Sequence, residues 1–108
     1  MENNADMIAA RELFLYAEND EMLYRRFFAP IYNNLQRKYN KGAYKHELAP
    51  KAFIAAVRES AKKYAQDFAD QKEWPVIFSM ASRHAACQMF ADRFLDDAEF
   101  NKTNGCWA

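Results

Sequence analysis

Nineteen alanines stand against two valines, four isoleucines and one threonine in this chain of 108 residues. Alanine is the strongest helix former, whereas strand interiors favour β-branched side chains. That imbalance excludes an extensive sheet. The chain reads as an all-α protein, a compact bundle of about four helices, and its length supports one hydrophobic core. We read residues 1–98 as a single helical domain and 99–108 as a C-terminal tail without period.

Hydrophobic spacing places the helices. The first is expected over about Asp6 to Ala17, with Ile8, Leu13, Leu15 and Tyr16 on its apolar side. Glu18 to Glu21 forms a corner in which Asn19 or Asp20 caps the next helix. The second helix is expected from about Glu21 to Lys41, with Leu23, Phe27, Ile31, Leu35 and Tyr39 at four-residue spacing and Tyr24, Phe28 and Tyr32 widening that stripe on one side. Pro30 interrupts that row, because it lacks an N–H and its ring crowds the Arg26 carbonyl. The row continues past the proline, so a single helix kinked at Pro30 is preferred to a break after Phe28. Gly42 is placed to stop it in a left-handed conformation.

The third helix starts near His46 to Pro50 and reaches about Ala69, with Phe53, Val57, Ala61, Tyr64 and Phe68 inward. Pro50 suits a first turn, which leaves residues 46–49 as a separate tight turn. The fourth opens after Pro75 and runs from about Val76 to Ala98. Its inward face, Phe78, Ala81, Ala85, Met89, Phe90 and Phe94, is rich in small residues.

Catalysis and metal binding find little support. His46 and His84 lack the ligand partners of a closed metal site, apart from one weak His84-x-x-Cys87 pair. The serines sit on helices without a nucleophile elbow, and two glycines build no phosphate loop. Asp92, Asp96, Asp97 and Glu99 lack the alternating spacing of a calcium loop and read as a solvated helix end. No enzymatic activity, metal or cofactor is expected. Cys87 and Cys106 are read as reduced thiols, since the acid-rich N-terminus lacks a signal-peptide layout and no membrane span is present. A cytoplasmic location follows as an expectation.

Net charge is zero, but it is segregated. Residues 1–24 carry six acids and one base, net −5. Residues 25–51 carry seven bases and one acid, net +6, and the remainder is net −1. The middle block consists of Arg25, Arg26, Arg37, Lys38, Lys41, Lys45 and Lys51. Arg25, Arg26, Asn33, Gln36, Arg37 and Asn40 fall opposite the apolar arc of the second helix. Lys51, Arg58 and Lys62 line one flank of the third. These nine cations form the candidate binding surface, for an acidic protein partner or for nucleic acid. Tyr32, Tyr39 and Tyr44 lie among them and are candidates for stacking on bases. The plainer reading has the acidic first helix neutralising the block within the fold. Lys38 projects near the middle of the apolar arc, where it either snorkels or meets Glu12 or Asp20. Arg83 interrupts the small-residue run of the fourth helix and is expected to pair with an acid.

The segment Leu13 to Asp20 with Leu23 and Tyr24, then Pro30-Ile31, Asn34-Leu35, Lys38, and the Gly42-x-Tyr44 turn followed by Leu48, Ala49, Ala52 and Phe53, resembles a group of short uncharacterised helical proteins encoded by phages and plasmids. Tyr64 with Phe68, and Arg83 ahead of an alanine-rich helix, extend the likeness over residues 13–95. Members of that group usually carry Asp after the turn tyrosine, where this chain has Lys45, so a helix cap is altered. The resemblance implies a small helical protein of a mobile element and no catalytic residues. The expected function is that of a non-enzymatic accessory protein acting by protein–protein contact, in one form inhibiting a host defence or replication component. The alternatives are a nucleic-acid-binding protein using the same basic face, and a homodimer burying the aromatic stripe of the second helix.

Overall fold

The alanine-rich segments form helices throughout the computed structural model, which describes residues 4–68 and 78–104. Helix α1 spans Asn4–Glu18. Ala10, Leu13 and Ala17 form its buried row. Ile8 and Leu15, expected on that side, are 69% and 49% exposed. Each lies two residues from a member of the buried row, and two residues turn an α-helix about 200°.

Helix α2 begins as Glu21–Leu23, widens into a π-helical turn at Tyr24–Phe28, and continues as Ala29–Asn40. Asp20 caps it, its Oδ1 accepting the Leu23 N–H at 2.9 Å. The backbone stays in the right-handed helical region through both junctions, so the helix is continuous across Pro30. The Ala29 N–H donates to the Tyr24 carbonyl five residues back. A wide turn immediately before Pro30 gives its ring room against the preceding carbonyls. The extra residue also shifts the inward row. Burial passes from Leu23 to Phe28, then to Leu35 and Gln36, while Phe27 and Ile31 are only partly covered.

The helix ends in a paired Gly42 turn. Gly42 has φ +74°, its N–H donates to the Tyr39 carbonyl at 3.1 Å, and the Ala43 N–H donates to Lys38 at 2.8 Å. This is the Schellman arrangement, and it satisfies two terminal carbonyls. Residues His46–Phe53 then wind as a 3₁₀ helix that contains Pro50 and runs into α3, Ile54–Asp67. Pro50 therefore lies inside the 3₁₀ helix rather than in the first turn of an α-helix. Lys45 occupies the cap of the 3₁₀ helix without a side-chain hydrogen bond. The Leu48 N–H bonds to its backbone carbonyl at 3.1 Å instead.

Helix α4 spans Met80–Thr103, capped by Ser79 Oγ on the Ser82 N–H at 3.0 Å. Its expected opening at Pro75 and Val76 lies outside the described residues. Its end lies five residues beyond Ala98, so residues 99–103 are helix rather than tail. Contacts from α2 hold that last stretch. The Tyr39 hydroxyl donates to Glu99 at 2.7 Å, and Gln36 Nε2 donates to the Ala98 carbonyl at 2.9 Å.

Helix α4 is central, packing against α1, α2, α3 and the 3₁₀ helix. Ala86, Ala91 and Ala98 on it are essentially inaccessible, which lets neighbouring helices approach closely. Ala81, expected inward, is exposed. The core centres on Phe28, Phe53 and Phe90, whose ring centroids lie 4.4 to 6.3 Å apart. No described helix is long and apolar enough to cross a membrane.

Candidate functional site

The Gly42 turn carries the chain from the basic end of α2 to the start of the 3₁₀ helix. It thereby sets Lys38 and Lys45 on one groove of about 320 Å³. Leu35, Tyr44 and Ala49 contribute to its apolar lining, and no acidic side chain lines it. Leu48, also in the lining, is 48% exposed. The Tyr44 hydroxyl is buried without a hydrogen-bond partner. Burial, with the Asp92 charge as a smaller cause, pushes its pKa up.

Beyond Leu48 the exposed surface continues through Lys51, Ile54 and Arg58. A 3₁₀ helix repeats every three residues, so Leu48, Lys51 and Ile54 form one row, which Arg58 extends by an α-helical turn. Ile54 is 43% exposed. The result is a surface of alternating apolar and cationic side chains.

All nine sequence-predicted cations are exposed, but they are not equivalent. Arg25 pairs with Glu21 at 2.5 Å, and Lys62 with Glu59 at 3.7 Å. Arg26 lies over the Phe27 ring, 5.8 Å from its centroid. Arg37, Lys38, Lys41, Lys45, Lys51 and Arg58 form no ion pair among the described residues.

Helix α1 does not neutralise this block. Its acids and the adjoining Asp20 point to other elements: Asp6 to Ser79, Glu12 to Tyr64, Glu18 to Arg93 and Asp20 to Lys63. Lys63, not Lys38, therefore meets Asp20, because α1 packs on α3 and α4 and leaves the end of α2 uncovered. Lys38 is exposed on the groove.

Two further expectations change. Arg83 has no acidic partner among the described residues, and its Nε is buried without a hydrogen bond. Gln36, expected outward among the basic residues, is wholly buried.

No family model, curated protein or solved structure matches the chain.

The tyrosines assigned to base stacking pack against other rings of the protein. Tyr32 packs on Phe53 and Phe94, with centroids at 5.5 and 6.5 Å. Tyr39 and Tyr44 meet each other at 5.8 Å and both contact Phe94. Of the aromatic stripe of α2, Phe28 is buried against Phe53 and Phe90, Phe27 and Tyr32 are partly covered, and Tyr24 is exposed.

Among the described residues no three His, Cys, Asp or Glu side chains converge as a metal site. The Cys87 thiol is free and buried, and burial raises its pKa to about 11, so it remains protonated at neutral pH. Cys106 lies outside the described residues. The exposed apolar members of the basic surface, Leu48 and Ile54, were not read from sequence as part of the binding face, Leu48 being named only for the resemblance. Their spacing of three on either side of Lys51, with Pro50 between, is the signal that carries them.

Proposed function

We propose that this chain is a non-enzymatic binding protein that docks an acidic segment of a partner protein on the face formed by the end of α2, the 3₁₀ helix and the start of α3. The observation that carries this reading is the groove at Lys38, Lys45 and Leu48: cations without acid partners flank an accessible apolar wall. Such a surface favours a partner presenting apolar anchors among carboxylates, and its unbalanced positive charge accelerates encounter with that partner. The resemblance to phage- and plasmid-encoded proteins supports a role in a mobile element, with a host defence or replication component as the partner, met in the host cytoplasm. Engagement of Tyr39 and Tyr44 in packing, and the place of Tyr32 on another face of α2, argue for protein over nucleic acid as the ligand, because no stacking platform stands on the basic face.

The test is fluorescence anisotropy with an amphipathic peptide carrying leucines on one face and glutamates on the other, beside the same peptide with lysines. The glutamate peptide should bind, weaken with salt, and lose about tenfold in affinity against Lys38→Glu/Lys45→Glu. Equal binding of both peptides, or no effect of the double reversal, rejects the reading. A mobility shift on nucleic acid at low salt that disappears with Arg26→Glu/Arg37→Glu would favour the nucleic-acid alternative.

A further inference from the structure

A second cleft lies on another face of α2. Tyr24, Phe28, Tyr32 and Gln36 line it at four-residue intervals, whereas Asn34, Leu35 and Lys38 line the basic groove. The opposite wall comes from α4, chiefly Phe94 and Asp97, and the end of α1 closes it at Glu18. Its volume is about 410 Å³, within the range of small-molecule sites. The π-helical turn builds one wall, since Tyr24 and Phe28 are its first and last residues. Widened turns of this kind recur where a helix must present side chains to a ligand.

Tyr24 and Tyr32 present aromatic surface to it, with Phe28 and Phe94 buried behind them. Tyr24 and Tyr32 have centroids 6.2 Å apart, and Tyr32 stacks on Phe94 at 6.5 Å with an interplanar angle of 17°. The mouth carries two carboxylates and one guanidinium. Arg93 is taken by Glu18, at 3.5 Å. Asp97 forms no ion pair or hydrogen bond among the described residues. An uncommitted negative charge therefore stands beside ring faces that attract cations, while the one positive charge is already engaged. Burial, with the Glu18 charge next, raises the pKa of the Tyr32 hydroxyl, which stays neutral at working pH.

We propose that this cleft binds a small organic cation, a primary ammonium carried on an apolar body the size of one aromatic ring, with the ring on the accessible surfaces of Tyr24 and Tyr32 and the ammonium on Asp97. An anion would be repelled by the free carboxylate, and a neutral apolar ligand would gain nothing from it. This site is separate from the proposed docking face, and neither reading depends on the other.

The experiment is an amide NMR titration of the full chain with 2-phenylethylammonium, alongside neutral 2-phenylethanol. The ammonium compound should shift amides of α2 and α4 along the cleft, with Kd of about 0.1 to 1 mM. The alcohol should bind about fivefold more weakly, and Asp97→Asn should weaken the ammonium compound to a similar extent. Asp97 is exposed, so that variant keeps its fold. Absence of cleft shifts at about 10 mM, equal binding of the alcohol, or unchanged affinity in Asp97→Asn each overturns the proposal.

Discussion

Asp20 joins two helices with its two carboxylate oxygens: Oδ1 accepts the Leu23 N–H at 2.9 Å, and Oδ2 lies 2.6 Å from Lys63 Nζ on α3. Lys63 also reaches Asp67 Oδ2 at 3.2 Å, and the Tyr16 hydroxyl donates to that same carboxylate. The corner between α1 and α2 is therefore fixed to α3 by one charged network.

Replacing Asp20 by Ala should cost about 1 kcal/mol through the lost cap, with a further loss from leaving Lys63 without its nearest acid. Asn caps nearly as well, so Asp20→Asn isolates the ionic part and should fall between wild type and Ala. The Lys63 hydrogen bond, and after it the Leu23 N–H, hold the Asp20 pKa below its ordinary value. Its stabilisation is thus present above the unfolded pKa of about 3.9 and fades as pH falls through the lower folded value. Urea titrations at neutral pH and near pH 3 should show the gap between wild type and Asp20→Asn shrinking in acid. A gap of constant size contradicts the ionic account.

At the alkaline end the sign reverses. Burial first, then hydrogen bonds to Asp67 and Glu12, raises the pKa of Tyr16 and of Tyr64 to about 12. Stability from keeping these hydroxyls neutral is complete below the unfolded value of about 10 and is lost as pH climbs towards 12. Tyr64→Phe removes the 2.8 Å bond to Glu12 and should cost about 1 kcal/mol at neutral pH. It should also lessen the alkaline loss, followed by helical circular dichroism with tyrosinate absorbance.

Phe90 is 1% exposed, with Phe14 at 4.7 Å and Phe28 at 4.4 Å between centroids. Phe90→Ala should cost about 3–5 kcal/mol, a large share of the stability of a domain this size. Ile8→Ala should change stability by no more than about 0.5 kcal/mol, because Ile8 is exposed. Comparable losses for the two would contradict the placement of the core.

The helical class was legible because composition and four-residue spacing act through local propensity and burial, which a single sequence displays. A cap at Asn19 or Asp20 and Gly42 as stop were legible for the same reason, each being a local backbone requirement; the structure puts the cap at Asp20. The face of α2 was legible only in part, since the spacing places the buried Leu23, Phe28 and Leu35 on its apolar stripe but Phe28 only on the flank. A four-residue row through Leu23, Phe27 and Ile31 assumes an uninterrupted α-helix, and the π turn before Pro30 moves the inward position to Phe28. The basic block was visible as charge along the chain, but whether α1 covered it depended on tertiary packing. Lys63 was missed as the partner of Asp20 because the two residues are 43 apart in sequence.

Gln36 records that rotation most directly. A straight α-helix would present it to solvent beside Arg37. Instead it is inaccessible, donating to the Ala98 carbonyl at 2.9 Å and to Asn40 at 2.9 Å while accepting from Asn101 at 3.5 Å. Gln36→Ala should therefore cost about 1–3 kcal/mol, since it opens a void and leaves buried polar groups with fewer partners. The damage should concentrate in the last turns of α4. Hydrogen exchange should quicken at residues 98–103, which Gln36 and Tyr39 tie to α2, while Ala85 to Ala91 remain protected. Arg37→Ala, one residue away and exposed, is the control and should change neither measurement. A neutral Gln36→Ala would mean that α2 keeps an unshifted register and that its π turn does not set its inner face.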